Sequence, residues 1–162
     1  VFTIPEAYIG KKGAKIMSLQ EPGKKMSKSD TNANATILLL DDTDTIIRKF
    51  KRAVTDSESE VRYAEEKPGI SNLMDIYSAV TGKTYEEIEK EFAGKGYGDF
   101  KLAVGETVAD HLKPLQERYE QLMKDKAYIE SMIKQNDEKA AYYANKTLRK
   151  VQKKVGLTER IR

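Results

Sequence analysis

Residues 99–122 read DFKLAVGETVADHLKPLQERYEQL, and the spacing of the apolar side chains in this stretch decides the fold class. These side chains recur every three or four residues, at Phe100, Val104, Val108, Leu112, Leu115, Tyr119 and Leu122. That period places them on one face of an α-helix. The stretch therefore predicts a long helix, which Asp99 caps and Pro114 kinks.

The same helical period extends on both sides of this stretch. Three helices are predicted on its N-terminal side: one after Asp42, one from Ser71 or Asn72 to Gly82, and one from Thr84 to Phe92. Pro68-Gly69 is expected to break the chain before the second of them. Two helices are predicted on the C-terminal side, near 126–134 and 137–155. Most of the chain is therefore predicted to be α-helical.

Residues 1–42 have a different pattern, with short apolar runs separated by turn residues. Three of these runs are short enough to be strands: 2–4, 14–19 and 37–40. Glu21-Pro22-Gly23 predicts a turn. We expect the end of an α/β unit here, followed by a helical bundle over 43–162. Because the first residues read as the end of a buried strand, we also expect a fragment of a longer protein.

Composition narrows the classes of function. The chain has 162 residues, no cysteine and a single histidine, His111, which lies within a helical pattern. These counts exclude a disulfide framework, a thiol nucleophile, a catalytic pair of histidines and a multi-histidine metal site. No apolar run approaches the roughly 18 residues of a membrane span. We expect a cytoplasmic protein that spans no membrane and has no metal site of its own.

Charge is distributed unevenly, although the net charge is only +3. Basic residues exceed acidic ones over 113–162, whereas acidic residues exceed basic ones over 43–112. A basic segment beside an acidic one is compatible with a surface that faces nucleic acid. It is equally compatible with a helix face that lysines keep solvated, so charge alone leaves both interpretations open.

One segment carries groups suited to phosphate chemistry. After the predicted turn come three lysines and two serines within six residues: Lys24, Lys25, Ser27, Lys28 and Ser29. Ammonium and hydroxyl groups on a mobile loop can neutralise and hydrogen-bond a polyphosphate. Short basic clusters are also common on protein surfaces, so an ordinary solvated loop is the alternative.

The order of these residues adds a second argument. Lys25-Met26-Ser27-Lys28-Ser29 is the KMSKS pentapeptide, and it resembles the second signature loop of class I aminoacyl-tRNA synthetases. Four further stretches resemble the bacterial tryptophanyl members of that family in order and spacing: 14–22, 67–73, 94–101 and 114–119. The resemblance implies the end of a Rossmann-type catalytic domain over 1–42. It implies an α-helical anticodon-binding domain with a C-terminal helix over 43–162.

The resemblance also implies a reaction and a site. Such enzymes activate L-tryptophan with ATP and Mg²⁺ as tryptophanyl-adenylate, and then transfer the amino acid to tRNA(Trp). Lys25 and Lys28 would be the catalytic residues, stabilising charge on the departing pyrophosphate. The implied ATP-binding residues are Ile16, Lys25, Met26, Ser27, Lys28 and Ser29. Among them, Ile16 would line the adenine pocket and Met26 would lie against the adenine through its backbone.

For the helical part the resemblance implies contact with tRNA across a homodimer. The residues that could follow a phosphate backbone are Lys146, Arg149, Lys150, Lys153 and Lys154. Tyr142 and Tyr143 could stack on bases, although at their spacing we expect one of them in a core. A solvated outer face is the alternative interpretation of the lysines.

Two features separate the chain from a complete member of this family. The other signature, of the type His-x-Gly-His, is missing, because the single histidine has no such neighbours. The upstream half that would hold the tryptophan pocket is missing as well. We therefore expect the C-terminal part of a synthetase that is inactive alone. A fragment of a tyrosyl-tRNA synthetase and a non-catalytic RNA-binding module remain open as alternatives.

Overall fold

The structure is a computed structural model that describes residues 1–10, 13 and 15–157. Five α-helices lie within the described residues: α1 (Thr43–Lys51), α2 (Pro68–Thr81), α3 (Tyr85–Glu91), α4 (Tyr97–Met123) and α5 (Lys126–Val155). In the same part of the chain there is no β-strand, and one antiparallel β-bridge pairs Met17 with Lys25. The prediction of a mostly α-helical chain is confirmed.

The short apolar runs of residues 1–42 do not form the predicted strands. Phe2 and Ile4 are exposed, and Leu38 to Leu40 are about half exposed. Only the run around Met17 pairs with another segment, and residue 14 of that run lies outside the described residues. A strand needs a partner for its backbone hydrogen bonds. The predicted α/β character is therefore reduced, among the residues described, to one hairpin.

The chain divides into two compact units. One unit is Ile9–Glu117, and the other joins Val1–Tyr8 to the residues from Arg118 onward. The predicted domain boundary after residue 42 falls inside the first unit, where residues from both sides of the boundary contribute to one core. The assignment of separate catalytic and anticodon-binding domains stays a prediction.

The core of the Ile9–Glu117 unit is built from one face each of α1 to α4. Phe100 and Val104 of α4 are fully buried, as their spacing predicts, whereas Leu115 is 46% exposed. Tyr77, Phe92 and Phe100 pack edge to face with ring centroids 4.8 to 5.8 Å apart. Fully burying one large apolar side chain contributes about 1.5–3 kcal/mol. Because Phe100 and Val104 are buried and Leu115 is exposed, the predicted helical stripe faces the core only in its N-terminal half.

The start of α2 differs from the prediction. The helix begins at Pro68, because a proline in the first helical turn loses no intrahelical hydrogen bond. Pro68-Gly69 therefore opens a helix instead of breaking the chain. Gly69 is required by packing, since a Cβ atom there would overlap the Val54 carbonyl oxygen. Asn72, a predicted cap, lies inside the helix and is 3% exposed.

The C-terminal helix also differs from the prediction. α5 is continuous over Lys126–Val155, where two helices were expected. No glycine or proline stands between 134 and 137, so nothing in the sequence ends a helix there. α4 likewise continues through Pro114 to Met123. None of the described helices is long and apolar enough to cross a membrane.

A buried lysine fastens the segment between α1 and α2 to α4. Lys67, 2% exposed, donates from Nζ to the Tyr97 hydroxyl at 2.9 Å, to Asp56 at 3.3 Å and to Glu58. Tyr97 in turn donates to Asp56 at 2.8 Å. The hydrogen bonds to Glu58 and then Tyr97 outweigh desolvation and raise the pKa of Lys67. The buried charge is therefore fully compensated, as a charge removed from water must be.

We expect Gly69→Ala to destabilise the protein, because the new methyl group would overlap the Val54 carbonyl oxygen and lie 3.0 Å from the Thr55 Cα atom. Overpacking of this kind costs about 1–3 kcal/mol in the free energy of unfolding, which urea denaturation would measure. Gly98→Ala is the matched control inside α4, since nothing lies within 4 Å of its Cβ position. Equal effects of the two substitutions would contradict the close approach of Gly69 to Val54.

Candidate phosphate-binding loop and basic helix

A short hairpin presents residues 25–29, which we call the signature loop. Met17 and Lys25 pair across the hairpin in antiparallel register. The Met26 N–H donates to the Ile16 carbonyl oxygen at 3.0 Å. The hairpin therefore places Ile16, the residue predicted to line an adenine pocket, directly across from the start of the signature loop.

The turn of this hairpin is the one that the sequence predicts. The Lys24 N–H donates to the Glu21 carbonyl oxygen at 2.8 Å, which encloses Pro22 and Gly23. The Lys24 ammonium also pairs with the Glu21 carboxylate, and this hydrogen-bonded contact raises the pKa of Lys24. The Lys24 ammonium is therefore paired within its own turn, and we do not expect it to bind a ligand.

The polar groups of the signature loop face solvent. Lys25 and Lys28 are exposed and form no ion pair with any described residue. The Ser27 and Ser29 hydroxyls lie 3.0 Å apart and bond each other. Met26 is partly buried and packs against the core. Two ammonium and two hydroxyl groups are thus available on one exposed turn, a set suited to phosphate oxygens.

Asn72 of α2 holds the first arm of the hairpin at Met17. Its Oδ1 accepts from the Met17 N–H at 2.8 Å, and its Nδ2 donates to the Met17 carbonyl oxygen at 2.9 Å. Met17 and Lys25 form a non-hydrogen-bonded pair, because the flanking bonds run from Ser18 to Lys24 and from Met26 to Ile16. Both backbone groups of Met17 therefore point away from Lys25, and the Asn72 amide satisfies them as a third strand would.

A second contact reaches the middle of the signature loop. Thr36 Oγ1 donates to the Ser27 carbonyl oxygen at 2.7 Å. Lys49 of α1, 5% exposed, donates to the Thr36 carbonyl oxygen at 2.9 Å and to Asp41 Oδ2 at 2.6 Å. Thr36 is therefore attached to a buried ion pair on one side and to the signature loop on the other.

Sequence reasoning missed both Asn72 and Thr36. Asn72 lies next to Ser71 in a stretch of α2 that Ile70, Leu73 and Met74 make largely apolar, and a polar amide in such a stretch was the available signal. Thr36 carried no signal, because a threonine beside an apolar run is common in strands. Both residues act through the backbone of the hairpin and its loop, which sequence patterns of side chains do not reveal.

The residues predicted to face RNA lie together on α5, in the other unit. All five are exposed: Lys146, Arg149, Lys150, Lys153 and Lys154. Tyr142 and Tyr143 are 62% and 57% exposed, so the expectation that one of them is a core residue is wrong. The Lys146 Nζ lies 6.0 Å from the centroid of the Tyr142 ring. Exposed aromatic rings interleaved with basic groups suit an RNA-binding surface.

We expect Asn72→Ala to lower the free energy of unfolding by about 1–3 kcal/mol, because it leaves the Met17 N–H and carbonyl groups without partners. Urea denaturation would measure this loss, and hydrogen exchange should show reduced protection of the Met17 amide. Asp110→Ala, on an exposed position of α4 in the same unit, should change stability by no more than about 0.5 kcal/mol. Undiminished protection of the Met17 amide in Asn72→Ala would contradict the role of the Asn72 side chain in holding the Met17 backbone.

Comparison with known proteins gives a consistent result. The family model described as "tRNA synthetases class I (W and Y)" matches residues 1–113. The tryptophan–tRNA ligase of Clostridium tetani is 52% identical over 155 residues, which cover 96% of this chain and 46% of that protein. The tryptophan–tRNA ligase of Oceanobacillus iheyensis is 51% identical over 158 residues, which cover 97% and 48%. The chain thus spans about half the length of the curated relatives it matches.

Solved structures show the same likeness. Tryptophanyl-tRNA synthetase from Mycoplasma pneumoniae matches with a TM-score of 0.80 at 29% identity, covering 92% of this chain and 45% of that one. The enzyme from Campylobacter jejuni matches with a TM-score of 0.64 at 25% identity, covering 96% and 47%. The resemblance to tryptophanyl members of the class, which the sequence motifs indicated, is confirmed.

Proposed function

The chain belongs to the family of class I tRNA synthetases for tryptophan and tyrosine, and we propose that it is the C-terminal part of a tryptophan–tRNA ligase. The observation that carries this proposal is the 51–52% identity with tryptophan–tRNA ligases along nearly the whole chain. The complete enzyme joins L-tryptophan to the AMP moiety of ATP as tryptophanyl-adenylate, with release of pyrophosphate, and transfers the tryptophanyl group to tRNA(Trp). This chain supplies the signature loop and the basic helix, and the tryptophan pocket lies mostly outside it.

The signature loop acts on the leaving group of the first step. The tryptophan carboxylate attacks the α-phosphorus of ATP, the bond to the β-phosphate breaks, and negative charge accumulates on pyrophosphate. The exposed ammonium groups of Lys25 and Lys28 close on this charge, and the Ser27 and Ser29 hydroxyls exchange their mutual bond for phosphate oxygens. Contacts that form only as the loop closes favour the transition state over bound ATP.

The hairpin contributes to the adenine site. Ile16 is partly buried and faces the base with its side chain. The Met26 N–H is already donated to Ile16, so the carbonyl oxygen of Met26 is the backbone group left for adenine. No group of three or more His, Cys, Asp or Glu residues within the described chain could hold a metal ion. Mg²⁺ would accompany the phosphates of ATP, where its charge would offset theirs.

The partners follow from the same assignment. The basic face of α5 contacts tRNA(Trp), and the complete enzyme is a cytoplasmic homodimer in which tRNA lies across both subunits. The absence of cysteine fits a reducing compartment. The family also contains tyrosyl enzymes, but the relatives at about half identity are tryptophan–tRNA ligases.

Pyrophosphate exchange into ATP tests the assignment directly. We expect exchange that depends on tryptophan, and not on tyrosine, in a full-length enzyme that carries this chain as its C-terminal part. Within that enzyme, Lys25→Ala should lower kcat about 10²–10³-fold, the usual cost of losing one preorganised donor to developing charge. The affinity for ATP should change much less.

Lys24→Ala is the matched control for this prediction, because the Lys24 ammonium is committed to Glu21. It should leave kcat within about twofold of the unsubstituted enzyme. Equal losses of kcat and ATP affinity in Lys25→Ala would contradict transition-state stabilisation by the loop. The 162-residue chain alone should catalyse no exchange with either amino acid. Exchange by the full-length enzyme with tyrosine only would assign the chain to the tyrosyl branch of the family.

Salt dependence tests the role of α5. We expect the 162-residue chain to bind tRNA(Trp) with an affinity that falls as KCl rises, because each phosphate contact releases a counterion. Lys146→Gln and Lys150→Gln should each weaken binding and reduce the slope of log K against log salt by about 1. Lys134→Gln is the control, since Lys134 is also exposed on α5 but lies about 120° around the helix axis from Lys146. Equal slopes in all three variants would favour a merely solvated lysine face.

A further inference from the structure

The centre of the signature loop is held by its backbone. The Ser27 carbonyl oxygen accepts from the Asp30 N–H at 3.2 Å, which closes a local turn, and from Thr36 Oγ1 at 2.7 Å. The Asp30 contact is local, three residues along the chain, whereas Thr36 lies nine residues beyond Ser27. The Thr36 hydroxyl therefore connects the middle of the signature loop to a segment outside the loop.

Thr36 is itself rigidly placed. Its neighbour Ala35 is 1% exposed, and the Ala35 carbonyl oxygen accepts from the Leu19 N–H at 3.0 Å. The Thr36 carbonyl oxygen accepts from Lys49 Nζ, and the Lys49–Asp41 pair has side chains only 7% and 12% exposed. Such a pair is costly to disturb, because removing one partner leaves a buried charge uncompensated. The Thr36 hydroxyl thus extends from a fixed scaffold to an exposed loop.

The two lysines of the loop are placed by different contacts. Lys25 lies on the hairpin, where its pairing with Met17 fixes its backbone. The peptide group that Thr36 holds joins Ser27 to Lys28, so this contact sets the direction in which the Lys28 side chain leaves the backbone. Removing the Thr36 hydroxyl would therefore release Lys28 while leaving the hairpin and Lys25 in place.

We propose that Thr36 is a positioning residue that orients Lys28 toward the departing pyrophosphate by holding the Ser27 carbonyl. The proposal rests on the proposed function of the signature loop in ATP activation. Thr36 does not touch the substrate, and its effect is transmitted through the Ser27–Lys28 peptide group. A loop gripped at its centre needs less ordering when it closes on ATP, so the contact raises kcat more than it strengthens ATP binding.

The first test compares Thr36→Val, which replaces the hydroxyl with a methyl group, with Thr36→Ser, which keeps it. In the full-length enzyme we expect Thr36→Val to lower kcat of tryptophan-dependent pyrophosphate exchange about fivefold, the effect of losing one neutral hydrogen bond. The KM for ATP should stay within about twofold. Thr36→Ser should restore kcat, which a purely steric role of Thr36 would not predict. Unchanged kcat in Thr36→Val, or equal losses in both variants, would overturn the proposal.

A double-mutant cycle asks whether Thr36 acts through Lys28. In a Lys28→Ala background, Thr36→Val should cause no further loss of kcat, because the group that it positions is gone. In a Lys25→Ala background the same substitution should cause its full, roughly fivefold loss. Equal losses in the two backgrounds would assign Thr36 a general structural role and overturn the proposal.

The backbone contact can also be tested without nucleotide, on the 162-residue chain. ¹⁵N relaxation should show the order parameters of the Lys28 and Ser29 amides falling below about 0.6 in Thr36→Val, with wild-type values in Thr36→Ser. Lys25 should keep its wild-type value as the internal control. Wild-type order at Lys28 in Thr36→Val would overturn the proposal that this contact orders Lys28.

The outcomes separate the two proposals. If the relaxation result holds but the full-length enzyme shows no exchange, the proposed function fails and the contact stands. If exchange is normal and Thr36→Val changes nothing, only the role of Thr36 fails. Circular dichroism monitors folding, and should Thr36→Val not fold, Thr36→Ala repeats the deletion without adding a methyl group at a partly buried position.

Discussion

The hydrogen bonds between the Asn72 side chain and the Met17 backbone are the interaction on which the arrangement of the site depends. A two-stranded hairpin is marginally stable alone in water and needs further strands or a helix to pack against. Here the buried Asn72 amide of α2 bonds the outward-facing backbone groups of Met17 and so attaches the hairpin to the helical core. The register of the hairpin places Ile16 opposite Met26 at the start of the signature loop.

The lysines of the Ile9–Glu117 unit differ by whether the fold already uses their charge. Lys49 and Lys67 are buried in ion pairs, and Lys101 donates to the Ala53 carbonyl oxygen and to Thr55 while burial lowers its pKa. These three lysines hold irregular segments against helices. Lys25 and Lys28 stand in solvent without an ion pair among the described residues. Unsatisfied positive charge on an exposed turn is what a phosphate ligand requires.

The sequence predicted the helices better than the irregular segments, for a physical reason. The stripe through Phe100 and Val104 repeats a local period, and its burial needs only one apolar neighbour surface. The exposed Leu38 to Leu40 run shows the converse, since a strand forms only where another segment completes its hydrogen bonds. The signature loop was found from its order of residues. Its attachments at Asn72 and Thr36 are contacts between a side chain and the backbone, across 55 and 9 residues, which no local pattern of side chains encodes.

The proposed reaction makes two opposing demands on the signature loop, free lysine side chains and an ordered backbone. Hydrogen bonds to the backbone at Met17 and Ser27 meet both demands. The lysines must be free of partners before the transition state, because contacts made equally with bound ATP would not lower the barrier. The loop must also be largely ordered, because fixing a free chain at the moment of reaction would consume the energy of the new contacts. Holding the backbone through Met17 and Ser27 while leaving the side chains of Lys25 and Lys28 in solvent meets both requirements. The peptide groups of the loop are held in place, and the ammonium groups stay available for the charge on pyrophosphate.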